Sequence, residues 1–147
     1  MAQISVINNQ KEGSNSKEVR KNGVVKTLNP KKFLFISIDG LIGDIAWQVV
    51  KEGHEVKYYI ENPEDKDVVD GFVPKIDDWK KEVDWADVVV FDDVLGQGKK
   101  AKKLRDDGKF VVGGTPYTDQ LEDDRSFGQE ELKKYGVNNI SVKYTGG

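Results

Sequence analysis

The chain has no cysteine, one histidine, one methionine and four prolines in 147 residues. The missing cysteines exclude disulfides, thiolate zinc sites and cysteine nucleophiles together. A single histidine, His54, excludes any two-histidine metal site and leaves no Ser/His/Asp set to argue. No apolar run approaches the roughly 18 residues that a membrane span needs, and the N-terminus has no apolar h-region of a signal peptide. A cytoplasmic protein without a membrane partner is the expectation. Strong positive charge is also missing. The net charge is -3, which argues against a nucleic-acid partner held through its phosphates. Hydrophobic residues reach 37%, below the roughly 45–50% of packed chains, a figure that includes glycine, and some segment is expected to lie outside the core.

What is present is unevenly placed. Residues 1–32 hold seven Lys/Arg and two acids, whereas the remainder holds 16 basic and 24 acidic residues. The first stretch is rich in Asn, Ser, Lys and Gly, with apolar alternation only at Ile4-Ser5-Val6-Ile7 and a second short group at Val24-Val25. Such a segment buries too little to offset its ordering entropy. Residues 1–31 therefore read as a flexible basic leader, or alternatively as an arm that docks on an acidic partner.

From residue 32 the rhythm changes. Phe33–Ile38 is a near-continuous apolar run, suited to a strand buried on both faces. A turn follows, then Ile45, Ala46, Val49 and Val50 at helical spacing, stopped by Gly53. Glu55–Ile60 reads as a second strand, Gly71–Pro74 as a minor one and Trp79–Trp85 as a short helix. Asp87–Phe91 reads as a buried strand, Gly98–Asp107 as a helix and Lys109–Gly113 as another strand. Thr118–Tyr135 reads as one last helix anchored by Leu121, Phe127 and Leu132, with a polar tail over 138–147. Alternating strands and helices predict right-handed βαβ units. The expected architecture is a Rossmann-like α/β domain over 32–137, with a mostly parallel sheet of four or five strands. Ligands of such folds sit at the carboxyl ends of the strands, which singles out the loops at 39–44, 61–63 and 92–98.

The first loop carries a broken fingerprint. A dinucleotide site needs G-x-G-x-x-G between strand and helix. The register here is Ile38-Asp39-Gly40-Leu41-Ile42-Gly43, with Glu61 about 20 residues on, where a ribose-binding acid would sit. The plainer reading is that Gly40 makes the turn, Gly43 allows close packing and Asp44 caps the helix. Asp39, Asp92 and Asp93 share one sheet edge and could hold Mg²⁺ through water, or stand there as solvated carboxylates. Lys99, Lys100, Lys102 and Lys103 read as a solvated helix face.

The longer pattern resembles a known family. Phe33-Leu34-Phe35-Ile36-Ser37-Ile38-Asp39-Gly40 running into Ile45-Ala46-Trp47, then Val88-Val89-Val90-Phe91-Asp92-Asp93, are similar to two of its segments. A third is Val112-Gly113-Gly114-Thr115-Pro116 with Gln120–Phe127 and Tyr135-Gly136-Val137. The family is the phosphoribosylamine–glycine ligases (glycinamide ribonucleotide synthetases), and the resemblance is to the Rossmann-like domain that precedes their ATP-grasp module. It implies ATP-dependent carboxylate–amine ligation in purine biosynthesis, with Asp39, Gly40, Leu41, Ile42, Gly43, Asp44 and Asp93 lining the amine-substrate site. It also implies that ATP and Mg²⁺ belong to an ATP-grasp domain or chain, that this chain holds no cofactor or catalytic residue of its own, and that it is inactive alone. The sequence departs from the family where Arg-Glu-His is expected, at Leu41, Ile42 and Gly43, and where the loop's first glycine is Asp39. That departure supports an alternative: a non-catalytic module that reuses the fold for assembly, as a homo- or hetero-oligomer. A third reading, nucleotide binding, rests on Gly40, Gly43 and Glu61.

Overall fold

The computed structural model describes residues 18–21, 24–27, 29–92 and 96–137, with side chains from 29 on. Within the basic leader, β1 (Glu18–Lys21) and β2 (Val24–Thr27) pair antiparallel as a sheet of their own. The main sheet holds β3 (Lys32–Ser37), β4 (Glu55–Ile60), β5 (Val88–Phe91) and β6 (Phe110–Val112), all parallel, in the order β4-β3-β5-β6. The helices are α1 (Gly43–Lys51), α2 (Gly98–Asp106), α3 (Pro116–Asp123) and α4 (Arg125–Lys134). No helix of the described residues is long and apolar enough to cross a membrane.

Because successive strand residues face opposite sides, each strand feeds two cores. Phe35, Val56, Tyr58 and Ile60 pack with Ala46, Val49 and Val50 of α1 on one face. Leu34, Ile36, Val89 and Phe91 pack with Ala101 and Leu104 of α2, and with Trp79, Val83 and Trp85, on the other. Each large side chain so buried contributes roughly 1.5–3 kcal/mol of transfer free energy. The central strand β3 lies in both cores, which is why its run is apolar without alternation.

Several local expectations are corrected. Gly71–Pro74 is turn and bend rather than strand; the chain just after it pairs with β4 at an isolated Tyr58–Lys75 bridge, and Val73 packs into the core beside Val56, Tyr58 and Ile60. The helix expected over 79–85 is a single 3₁₀ turn, Trp79–Glu82, begun by the Asp78 side chain. The last helix is two, because Asp124 is extended and its carboxylate accepts from the Phe127 amide, starting α4 afresh. Leu121 and Leu132 do not act as core anchors: neither α3 nor α4 has a buried residue. Asp44 does not cap α1 either. Its N-cap is Ile42, without a side-chain bond, and Asp44 lies inside the first turn. The tail at 138–147 lies outside the described residues.

Candidate functional site

The chain leaves β3 for β4 on one side and later returns to β5 on the other. The strand order therefore reverses between β3 and β5, and the carboxyl ends of two such strands are where open α/β sheets bind ligands. The last residue of β3, Ser37, and the residue after β5, Asp92, meet there, both buried. The Ser37 hydroxyl donates to Asp92 Oδ2, the Ile38 amide donates to the same oxygen at 3.2 Å, and the Gly40 amide donates to Ser37 Oγ at 2.7 Å. A serine ends the apolar strand because its hydroxyl ties the turn at Gly40 to the neighbouring strand.

Asp92 is only 2% exposed, and its other oxygen, Oδ1, has no hydrogen-bond partner among the described residues. Burial pushes its carboxyl above the usual carboxylate range; the Ser37 and Ile38 bonds pull the other way, and the nearby Asp39 charge adds to the rise. The Tyr58 hydroxyl is buried in the same region, and burial raises it above the ordinary phenol. Gln97, at the N-cap of α2 and 1% exposed, places a further buried amide near this edge. Ser37, Tyr58 and Gln97 were missed from the sequence. Their signal was slight: three polar residues at the ends or interior of apolar elements.

The predicted loop residues divide. Gly40 and Gly43 are buried, while Leu41 is 67% exposed. Gly40 has φ +82°, a conformation that suits glycine. A Cβ there would come 2.7 Å from Val68 Cγ1, and one on Gly43 would come 2.1 Å from Val69 Cγ1. The space that the two glycines leave free is thus filled by the chain's own Val68-Val69 turn. Asp39 accepts from Asn62 Nδ2 at 3.2 Å, which ties this loop to the end of β4. Asp44 stands at the positive end of the α1 dipole. Asp93 lies outside the described residues.

These residues do not fit a dinucleotide pyrophosphate. The first fingerprint glycine is Ile38, the other two are packed against valines, and Asp39 and Asp44 supply the wrong charge. Glu61, the expected ribose acid, is paired with Lys100 at 2.9 Å. Lys102 and Lys103 pair with Asp106 and Asp107 along α2, as a solvated face does. No group of three or more metal-ligating side chains occurs among the described residues.

No family model matches the chain, and no curated protein does. Two solved structures are similar to it. One is shikimate dehydrogenase from Aquifex aeolicus, at 17% identity and TM-score 0.48, over 87% of this chain and 62% of that one. The other is an imine reductase from Myxococcus stipitatus, the V8 variant in complex with NAD+, at 13% identity and TM-score 0.47, over 75% of this chain and 39% of that one. The parallel sheet in the order β4-β3-β5-β6, with helices between its strands, is itself Rossmann-like. This chain spans less than two thirds of either protein.

Proposed function

We propose that this chain is the substrate-side domain of an ATP-dependent carboxylate–amine ligase, similar to the N-terminal domain of phosphoribosylamine–glycine ligases, and that its carboxyl edge receives the amine. The observation that carries this reading is Asp92 Oδ1, a buried carboxylate oxygen with no partner among the described residues, at the switch point of the sheet. Such an oxygen calls for a hydrogen-bond donor or a cation, and an amine or ammonium group supplies either. The nearby Asp39 favours the same charge, and the loop at 39–44 carries no basic residue of its own to hold a phosphate. In this reading Asp92 orients the amine end of the substrate, Ser37 holds Asp92, and the Gly40 turn forms the wall. ATP and Mg²⁺ would be held by an ATP-grasp domain or chain outside these 147 residues, so the chain alone would not turn over. The family resemblance assigns the amine to a phosphoribosylamine of purine biosynthesis.

A second reading is favoured by a separate observation. Ile45, Trp47 and Phe72 join Leu41 as exposed apolar side chains at and after the loop, with Trp47 and Phe72 in edge contact at 5.3 Å. Exposed apolar surface of this kind suits a protein partner.

An amide titration of the isotope-labelled chain with ribose 5-phosphate, glycinamide ribonucleotide, ATP with Mg²⁺, and NAD separates these readings. The ligase reading expects shifts at Ser37–Asp44 and Asp92 with the amine-bearing ribonucleotide and none with NAD. The same shifts with NAD would overturn it in favour of nucleotide binding. Silence with every ligand at millimolar levels would overturn it in favour of the interaction module.

A further inference from the structure

No strand lies beyond β6 among the described residues, so the backbone groups that β6 turns away from β5 have no ladder partner there. The register shows which groups those are. In a parallel ladder, successive residues point their N–H and C=O to opposite neighbours, and a residue that bonds across stands opposite one that does not. The Glu61 amide donates to the Ser37 carbonyl at 2.9 Å, so Ser37 turns to β4 and Ile36 to β5. The Asp92 amide accordingly donates to the Ile36 carbonyl at 3.2 Å, and Val88 and Val90 of β5 turn the same way. Val89 and Phe91 therefore turn to β6. Val89 stands opposite Val111, so Phe110 and Val112 bond to β5, whereas Lys109, Val111 and Gly113 turn outward.

The last turn of α2 takes these outward groups. The Lys109 amide donates to the Leu104 carbonyl at 2.9 Å. Arg105 Nε donates to the Val111 carbonyl at 3.4 Å, Nη2 to the Gly113 carbonyl at 2.6 Å and Nη1 to the Gly114 carbonyl at 2.8 Å. The guanidinium suits this task, because its donors form a rigid planar fork that an ammonium cannot copy. Packing delivers it: Leu104 is buried in the core that Val111 also joins, and Arg105 is the next residue of the helix.

Without that cover the edge is complementary to itself. Two copies related by a twofold axis at Val111 can pair antiparallel, the two Val111 residues exchanging both backbone bonds. Phe110 then stands opposite Val112 of the other copy. Both are apolar and exposed, at 79% and 59%, so each gains a cross-strand neighbour. We propose that Arg105 withholds the β6 edge from strand addition, and that a second copy of this chain pairs there once the guanidinium is removed. This inference is independent of the ligase reading.

Sedimentation velocity of the full chain, from micromolar to millimolar concentration, tests it. The parent is expected to stay monomeric. Arg105→Ala should dimerise about tenfold or more tightly than the parent, the gain of the two exchanged hydrogen bonds. Arg105→Lys keeps the charge but loses the fork, and it should dimerise as well. Val111→Pro in the Arg105→Ala chain removes the outward N–H and should restore the monomer. In a mixture of differently labelled Arg105→Ala copies, Hα of Phe110 should lie against Hα of Val112 of the other copy, with the β3 and β4 resonances in place. Monomeric Arg105→Ala and Arg105→Lys chains would overturn the proposal. An Arg105→Lys chain that stays monomeric while Arg105→Ala pairs would overturn it in favour of charge repulsion. Contacts between copies that avoid 109–113, or a parent already paired along β6, would also count against it.

Discussion

Gly43→Ala tests whether the second loop glycine serves the chain's own packing. The added Cβ would stand 2.1 Å from Val69 Cγ1, whereas carbon atoms rest at about 3.5–4.0 Å. The overlap is therefore about 1.5 Å, and overpacking of this kind costs typically 1–3 kcal/mol. Alanine regains part of it, up to about 1 kcal/mol in a helix interior and less at the first helical position where Gly43 stands. A net loss of about 1–2 kcal/mol follows, and in a domain of this size that lowers Tm by roughly 5–10 °C. Val69 itself holds φ +60°, a strained conformation for a β-branched residue. Val69→Ala should then be mild by itself, since relief of strain offsets the lost contact. In the double variant the clash is gone, and most of the Gly43→Ala loss should disappear. The assay is a double-mutant cycle by thermal and urea unfolding, with an expected coupling of about 1–2 kcal/mol. A Gly43→Ala chain as stable as its parent would refute the argument. A penalty left unchanged by Val69→Ala would do the same and would return the glycine to a ligand role.

Two further outcomes are expected. Asp92→Asn keeps the shape and the acceptor for Ser37 and Ile38 while removing the charge. The folded-state pKa of Asp92 lies above the unfolded one, so the unfolded chain releases its proton first as pH rises. Stability is thereby lost between the ordinary carboxylate range and the raised value. The variant should unfold later than the parent at neutral pH, match it in acid, and fail to bind the amine ligand; a variant less stable at pH 7 would contradict this. Gly98→Ala should be more damaging than Gly43→Ala, at about 3 kcal/mol. Its Cβ meets the Thr115 backbone at 2.3 Å, and a backbone cannot rotate away. Urea midpoints compare the two, and equal or reversed penalties would count against the reasoning.

The strands were legible because their burial is written in their composition. Glu55–Ile60 appears at the expected residues, and Phe33–Ile38 and Asp87–Phe91 within one residue at either end. The two cores on either face of the sheet demand apolar residues on both sides of β3, and that demand shows in a linear reading. The stops at Gly53 and Gly108 were legible for a local reason, since each has a positive φ after a helix. The division of Thr118–Tyr135 was not, because apolar spacing runs through Asp124 while its side-chain bond to Phe127 ends one helix and begins the next. The exposure of Leu121 and Leu132 was hidden for a related reason: periodicity marks the face a helix offers, not whether anything covers it.

At the site, sequence alone determined the glycine turn, the acids around it and the lack of a basic clamp. These are properties of neighbouring residues. Tertiary structure alone decided that Ser37 and Asp92, 55 positions apart, share a buried hydrogen bond, and that Val68-Val69 fills the space beside Gly40 and Gly43. Strand order sets both contacts, because crossovers bring distant chain ends to one edge of the sheet. That Asp92 Oδ1 has no hydrogen-bond partner among the described residues follows from its burial at that edge, and no spacing along the chain could announce it.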